Sequence, residues 1–252
     1  MWPYNIPPRF QKLSAGSLKS IALVTMFIDH AALALLLNTL LLPAAPIYRG
    51  TPAHTVLLVY RALRSIGRIA FPIFCFFIAE GFFHTRSRLF YAARLLLLAL
   101  ISEIPFDLAL MNNGKAFDMS CQNTIFTLLF GLLSCWAFDY FRDKWYFQLP
   151  LVAACFAAAH FLKTDYDWLG ALTIFIFYLL HDWRIPQLIA GFITLSIIGG
   201  EFPFVLLASL FLILYNGKRG RMPKTVFYAF YPVHLTVLWC LAQFMLKAGI
   251  AL

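Results

Sequence analysis

Two adjacent titratable side chains, Asp29 and His30, lie in the middle of a long apolar segment near the amino terminus. A carboxylate at the centre of a membrane helix costs roughly 2.5–3.5 kcal/mol on insertion scales, so such groups usually have partners and a function. Lys19 precedes His30 by eleven residues. This spacing of about three turns directs both side chains to one helix face, with His30 about 16 Å deeper. An imidazole at that depth can take a proton from a substrate, and we expect His30 to be a general base.

A second apolar segment carries an arginine stripe. Arg61, Arg64 and Arg68 follow the i, i+3, i+7 spacing of one helix face. Pro72 is expected to bend the helix between this stripe and Glu80. Two interpretations stay open. Either the stripe lines an aqueous cavity on the outer side of a membrane and binds the substrate, or it lies in the headgroup region, where long arginine side chains reach water.

Two later segments also carry polar groups on one face. Glu103 and Asp107 are four residues apart around a proline, and they either belong to a reaction site or neutralise the arginine stripe. In the last apolar segment Tyr228, Tyr231 and His234 follow each other at three-residue steps, which puts them on one helix face. We take Glu103 and His234 as candidate catalytic groups, and Asp107 and Tyr231 as candidate substrate-binding groups.

The composition predicts a membrane protein. Of the 252 residues 62% are hydrophobic and 12% are charged, and the mean hydropathy is +0.79, whereas a soluble protein of this length needs far more polar surface. Apolar runs recur along the whole chain, so we predict one all-α domain, residues 1–252, built as a polytopic bundle of about nine (eight to ten) transmembrane helices. The predicted spans are about 18–42, 55–82, 89–110, 123–141, 148–162, 168–181, 185–199, 202–216 and 226–247.

Charge and cysteine usage narrow the classes of partner. The formal net charge of +9 favours anionic lipid headgroups or an anionic co-substrate. Without a basic groove that alternates with exposed aromatic residues, it does not favour nucleic acid. Lysines and arginines cluster in the amino-terminal segment and in alternate loops, so the positive-inside rule predicts a cytoplasmic amino terminus. Five cysteines without a CxxC pair predict neither a metal site nor a disulfide.

Five blocks together resemble the TraX family, which is named for the enzyme that acetylates the amino terminus of F-type pilin. They are the K-x10-H spacing from Lys19 to His30, which includes Asp29, then RSIGRIAFPIF from Arg64, IAEGFFHTRS around Glu80, the stretch that ends in SEIPFD, and FYAFYPVHL. These blocks cover the first 110 residues densely and the last quarter well, whereas the middle of the chain matches mainly as TDYDWLG.

The TraX resemblance implies acetyl transfer from cytoplasmic acetyl-CoA to an amine or a hydroxyl. The acceptor would be a pilin amino terminus, a peptide or an envelope glycan, and the protein would be a multi-pass component of the bacterial inner membrane. The chain is also similar, more loosely, to membrane acyltransferases that O-acetylate sugars. Where those proteins have Arg and Ser, this chain has Lys19 and Glu80.

Charge and geometry suggest how the candidate residues divide their roles. The phosphates of CoA favour lysine and arginine. The candidates on the cytoplasmic side are Lys19, Arg86, Arg88 and Arg94. Asp29 is turned about 100° around the helix from His30 and cannot easily contact the same ring. We therefore expect Asp29 to pair with an arginine of the second span, and Glu80 or Glu103 to orient His30.

Three other functions compete with acetyl transfer. A proton-coupled secondary transporter could use the same buried Asp, His and Arg side chains, and an assembly factor could use the charges for helix association alone. His160 and Asp165 also fit the H-x4-D pattern of glycerolipid acyltransferases, but the other blocks of that family are missing. Acetyl-CoA consumption by the purified protein separates an enzyme from a transporter or an assembly factor.

Overall fold

The computed structural model describes residues 10–111, 114–199 and 202–250, and every regular element in these ranges is helical. Helix α1 (Ala15–Ala31) runs directly into a π-helical segment (Ala32–Leu41). The helices that follow are α2 (Pro52–Gly67), α3 (Ala70–His84), α4 (Arg88–Leu110), α5 (Thr124–Tyr140), α6 (Trp145–Phe161), α7 (Asp167–Leu179), α8 (Arg184–Gly199), α9 (Phe202–Ile213) and α10 (Lys224–Lys247). The predicted all-α class is confirmed, and each predicted span corresponds to helical structure.

Four helical stretches are long and apolar enough to cross a membrane. They are Ala15–Leu41, Pro52–His84, Arg88–Leu110 and Thr225–Lys247. Shorter apolar helices, α5 to α9, lie between the third and the fourth. The structure therefore supports a membrane protein with several apolar helices, whereas the number of nine spans and the cytoplasmic amino terminus stay predictions.

The second of these stretches is interrupted, because α2 ends at Gly67 and α3 begins at Ala70. Pro72 has no N–H to donate to the carbonyl of Arg68, and its ring crowds that carbonyl. The α-helical hydrogen-bond pattern therefore cannot continue through this point. The break lies between the arginine stripe and Glu80, where the sequence predicts a bend.

Helix α3 is the centre of the bundle, since eleven of its fifteen residues are buried. It packs against α1, α5 and α7. Asp29 of α1 touches Gly67 just before α3, and Lys19 of α1 lies over the ring of Phe77 in α3, so the two helices run antiparallel. Helix α10 packs along α4 and against α1 and the π-helical segment. The polar side chains described below meet in the space between these helices.

Several basic loops gather at one end of the bundle, which we call the basic end. The backbone N–H of Ala15 donates to the carbonyl of Lys218 at 2.8 Å, which joins the start of α1 to the loop after α9. An ion pair between Arg88 and Asp139 joins the start of α4 to the end of α5. Lysines and arginines that are far apart in sequence thereby share one surface.

The loops after α4 and α6 meet at the opposite end, which we call the far end. The backbone N–H of Gln122 donates to the carbonyl of Lys163 at 3.0 Å, and the N–H of Asp165 donates back to the carbonyl of Gln122 at 2.9 Å. This exchange of hydrogen bonds fixes the start of α5 against the start of α7, close to the break between α2 and α3.

Candidate active site

Two histidines from opposite ends of the sequence meet inside the bundle. Nδ1 of His30 lies 2.8 Å from Nε2 of His234, and both residues are buried. Their ring planes are nearly parallel, with an angle of 6° between them, which is compatible with a hydrogen bond that lies in the plane of both rings. Tyr231 packs edge-on against both, its ring centroid 6.0 Å from that of His30 and 5.7 Å from that of His234. Helices α1 and α10 thus supply the centre of the site.

The hydrogen bonds determine which nitrogen of His30 is basic. Nδ1 of His234 lies 2.7 Å from the carbonyl oxygen of Phe230, and because a carbonyl can only accept, this Nδ1 carries a proton. In the neutral ring Nε2 of His234 is then an acceptor, so His30 donates from its own Nδ1. The remaining nitrogen of His30, Nε2, has a lone pair and no hydrogen-bond partner among the described residues.

Asp29 faces away from His30, towards α2. It forms an ion pair with Arg64, which confirms the predicted pairing with an arginine of the second span. The approach depends on Gly67, because a Cβ at this position would lie 2.3 Å from Cβ of Asp29 and 2.2 Å from its Oδ1. The glycine leaves room for the Asp29 side chain. The spacing of Arg64 and Gly67 in the RSIGR block therefore holds α1 against α2 next to His30.

A small cavity of about 80 Å³ lies beside His30, on the side of the far end. Its polar lining contains two cations and two carboxylates together with a threonine. These side chains are Arg64, Arg68, Asp29, Asp165 and Thr124. The hydroxyl of Thr124 donates to Oδ2 of Asp165 at 2.5 Å. Since a water molecule occupies about 30 Å³ of liquid volume, the cavity can hold a small chemical group beside His30 but no large molecule.

A larger cavity of about 570 Å³ extends to the basic end. This volume lies within the range of about 300–1,000 Å³ that is typical of small-molecule sites. Three cations, Lys19, Arg94 and Arg219, line it together with several aromatic rings. Nζ of Lys19 lies 5.0 Å and 4.8 Å from the ring centroids of Phe77 and Phe227. These cation–π contacts stabilise the ammonium group against the aromatic wall of the cavity.

The two cavities are neighbours, because Met26, Phe74 and Thr124 line both. Tyr231 lines the larger cavity, and its hydroxyl lies beside Thr124. His30 lines the smaller one. These three shared residues therefore lie between a molecule in the larger cavity and His30 at the edge of the smaller one.

Glu80 does not orient His30, contrary to expectation. Its Oε1 lies 3.3 Å from Nε2 of His84 and accepts a hydrogen bond of 3.4 Å from the hydroxyl of Tyr215. Gly67 lies beside Asp29, and Glu80 follows Gly67 by thirteen residues. Because α3 is antiparallel to α1, this distance along the chain places the Glu80 carboxylate about 20 Å closer to the basic end. There it lines the larger cavity. The group that orients His30 is a second histidine.

Glu103 does not orient His30 either. Its carboxylate accepts hydrogen bonds from the side-chain amide of Asn123 and, at 3.3 Å, from the backbone N–H of the same residue. Asp107, one turn further along α4, accepts from the backbone N–H of Asp118 at 2.7 Å. Neither carboxylate lines either cavity. Both therefore attach the loop between α4 and α5 to α4, which gives them a structural task at the far end.

Neither the H-x4-D pair nor the Cys121 thiol supplies an activated nucleophile at the far end. His160 bonds through Nδ1 to Oδ1 of Asp167 at 2.9 Å, whereas Asp165 bonds to Thr124, so the pair expected from the H-x4-D pattern does not form. Burial raises the pKa of the Cys121 thiol to about 12, and the nearby Asp165 carboxylate acts in the same direction. This thiol stays protonated and is a poor nucleophile. Within the described ranges, no three His, Cys, Asp or Glu side chains form a group that could hold a metal ion.

The fold divides the arginine stripe. Arg64 and Arg68 line the smaller cavity, as the cavity interpretation of the stripe predicts. Arg61 is exposed and lines neither cavity. It lies one turn further from the break in the helix, and its side chain faces away from the cavity.

The fold also divides the four residues that were expected to bind the phosphates of CoA. Lys19 and Arg94 line the larger cavity. Arg88 lies outside it, in an ion pair with Asp139 and with its guanidinium 4.4 Å from the ring centroid of Phe82. Arg86 is an exposed residue of the loop before α4 and lines neither cavity.

Sequence reasoning missed two charged residues of the site. Arg219 reaches the larger cavity from the loop after α9, in which Gly217 and Gly220 have positive φ angles of 73° and 72°. The glycines around this basic run were a signal for a tight, ordered turn. Asp165 lies in the TDYDWLG block, which resembles the TraX family. This resemblance was a better signal for a site residue than the H-x4-D pattern.

Comparisons with known proteins agree with the blocks read from the sequence. The TraX protein family matches residues 14–242, a range that includes every residue lining the two cavities. The chain is 31% identical over 261 residues to a probable fimbrial assembly protein FimC, serogroup H1, of Dichelobacter nodosus. This similarity covers 93% of the chain and 97% of that relative. No solved structure matches the chain.

Proposed function

The chain belongs to the TraX family, and on this premise we propose that it is an integral membrane acetyltransferase. The proposed reaction moves the acetyl group of acetyl-CoA to an amine or hydroxyl acceptor in or across the membrane. A pilin amino terminus, a peptide or an envelope glycan would present such a group. The similarity to a probable fimbrial assembly protein fits an acceptor on a fimbrial subunit.

The observation that carries the proposal is the direction of the hydrogen bonds from Phe230 through His234 to His30. It leaves a lone pair on Nε2 of a buried imidazole that borders one cavity and lies next to another. A general base needs such a lone pair within reach of the substrate. A histidine with only a structural task would be expected to have both ring nitrogens paired.

The larger cavity has the chemistry that acetyl-CoA needs. Lys19, Arg94 and Arg219 are suited to the pyrophosphate and the 3′-phosphate, since charge-assisted hydrogen bonds to phosphate are strong. The aromatic and aliphatic wall between these cations and Tyr231 suits an extended, largely uncharged arm. When bound there, acetyl-CoA would supply a thioester whose carbonyl carbon accepts a nucleophile.

The step that we propose for His30 is proton transfer at Nε2. This nitrogen takes the proton of the acceptor amine or hydroxyl while the acceptor atom forms a bond to the acetyl carbonyl carbon. The carbon–sulfur bond of the thioester breaks, and His30 gives the proton to the leaving thiolate, so the imidazole ends neutral. His234 holds Nδ1 of His30 throughout, and the ion pair of Asp29 with Arg64 fixes the neighbouring backbone against α2.

We further propose that the basic end faces the cytoplasm of a bacterial cell and that the chain lies in the inner membrane. Lysines and arginines at the start of α1 and in the loops after α3, α5 and α9 favour this orientation. Acetyl-CoA would then enter the larger cavity from the cytoplasm. The acceptor would reach the smaller cavity from the far end.

A proton-coupled transporter is the second candidate. The observation in its favour is that two cavities extend towards opposite ends and are separated by Met26, Phe74 and Thr124, as two access routes to a central site would be. Such a protein would move its solute without changing it chemically.

The deciding experiment uses the purified full-length chain in detergent with acetyl-CoA and three acceptor samples: a short peptide with a free amino terminus, an oligosaccharide, and a bacterial envelope extract. Mass spectrometry measures free CoA and the acetylated product. We expect both with the parent chain and neither with the His30→Ala variant, which should still be inserted and folded. Absence of CoA release with all three samples, together with uptake into proteoliposomes, would replace the enzyme by the transporter.

A further inference from the structure

A buried hydroxyl group between the two cavities has no part in the proton transfer described above. Tyr231 is 4% exposed. Among the described residues its hydroxyl makes no hydrogen bond of normal geometry, although Thr124 lies close to it. Buried hydroxyl groups in native proteins are nearly always paired, so this one calls for a specific explanation.

The surroundings of Tyr231 hold its ring in one orientation. His30 and His234 pack against it edge-on, with angles of 74° and 69° between the ring planes. The hydroxyl lies beside Thr124, which lines both cavities, and the Tyr231 ring itself lines the larger one. The Tyr231 ring therefore forms part of the wall of the larger cavity and contacts both imidazoles, and its buried hydroxyl lies beside Thr124, where the two cavities meet.

We propose that the Tyr231 hydroxyl donates a hydrogen bond to the carbonyl oxygen of the acetyl group during transfer. This inference rests on the acetyltransferase function proposed above. When the acceptor atom bonds to the carbonyl carbon, the carbonyl oxygen gains negative charge, and the charge returns to a C=O bond when the carbon–sulfur bond breaks. A fixed donor in a site with little water stabilises the charged oxygen more than the uncharged one, and so accelerates the reaction.

The division of roles follows from the same geometry. His30 takes and returns the proton of the acceptor, whereas Tyr231 keeps its own proton and only shares it in a hydrogen bond. A tyrosine hydroxyl is suited to this task because it is a good donor that stays protonated at neutral pH. A thioester reaching inward from the larger cavity would bring its carbonyl oxygen to the side of Tyr231 and Thr124.

The Tyr231→Phe variant tests the proposal because it removes the hydroxyl and keeps the ring. Loss of one oxyanion donor lowers kcat by about 100-fold to 1,000-fold in enzymes of this type of chemistry, and we expect a loss of this size. The KM for acetyl-CoA should change only a few-fold. The Tm in detergent should change little, because the ring is kept and the hydroxyl makes no hydrogen bond of normal geometry in the folded chain.

Tyr178→Phe is the matched control. The Tyr178 hydroxyl donates to Oδ1 of Asp139 at 3.3 Å, and neither residue lines either cavity. This variant should keep kcat and lower the Tm slightly, because it removes a hydrogen bond that the folded chain makes.

The outcomes separate the two proposals. A Tyr231→Phe variant with a kcat within a few-fold of the parent overturns the role of Tyr231 and leaves the acetyltransferase function intact. A lower kcat together with a lower Tm assigns Tyr231 a structural role and also overturns it. A parent chain that releases no CoA with the peptide, the oligosaccharide or the envelope extract removes the acetyltransferase function, and the role of Tyr231 with it.

Discussion

Replacing Gly67 by alanine should push α1, which carries the proposed base, away from α2. The added Cβ would lie 2.3 Å from Cβ of Asp29. A Cβ atom moves only with its backbone, so Asp29 cannot turn aside. Restoring an ordinary contact of 3.4 Å therefore needs a displacement of about 1 Å between α1 and α2. His30 is the next residue in α1, and its ring would shift relative to His234 by a similar distance.

The expected losses follow from this displacement. A misplacement of about 1 Å can lower the rate of an enzyme by about 100-fold, and overpacking typically costs about 1–3 kcal/mol of stability. The ion pair of Asp29 with Arg64 would also be strained. We expect the kcat of acetyl transfer to fall about 100-fold. The KM for acetyl-CoA should change less than kcat, because Lys19 lies ten residues, about 15 Å, along α1 from Asp29, and Arg94 lies on α4.

The assay combines steady-state CoA release with thermal unfolding in detergent. Gly191→Ala is the matched control, because its Cβ would lie 2.2 Å from Cε1 of Phe177, and neither residue lines either cavity. This variant should lose stability but keep the kcat of the folded fraction. A Gly67→Ala variant with the kcat of the parent would refute the positioning argument. Equal losses of kcat in both variants would attribute the effect to general destabilisation.

Three further predictions concern the orientation of the base, the donor cavity and the membrane topology. His234→Leu should lower kcat more than His234→Gln, because the amide oxygen of glutamine can still accept a hydrogen bond from Nδ1 of His30. Equal losses of kcat in the two variants would refute the role of His234 in orienting His30. Arg219→Gln should raise the KM for acetyl-CoA about 10-fold or more, because a lost charge-assisted contact costs roughly 1.5–3 kcal/mol. Arg142→Gln at the exposed basic end should not raise it, and an unchanged KM in the Arg219 variant would move the phosphate site elsewhere. The topology test starts from a chain whose native cysteines have been replaced. A membrane-impermeant thiol reagent should label the Arg61→Cys variant in intact cells, but the Arg142→Cys variant only after permeabilisation. The reverse labelling pattern would invert the proposed orientation.

Several features of this protein are determined by local sequence. The helices could be predicted from the apolar runs, because backbone N–H and C=O groups inside a membrane must pair within their own segment. The break before α3 could be predicted from Pro72, because a missing N–H acts on a carbonyl only four residues away. The ion pair of Asp29 could be predicted because a carboxylate in an apolar segment needs a cation, and the nearest arginine stripe contains Arg64.

The partner of His30 was decided by the tertiary structure alone. His30 and His234 are 204 residues apart, and helical periodicity tells which face a side chain occupies but not which helix lies opposite. Glu80 had the right chemistry to orient an imidazole, but the antiparallel course of α3 carries it to the basic end. Arg219 joined the larger cavity because the backbone N–H of Gly16 holds the carbonyl of Arg219 at 3.0 Å. A hydrogen bond needs its two atoms within about 3 Å of each other, and that precision depends on the rotation and register of whole helices, which the combined packing of all their side chains sets.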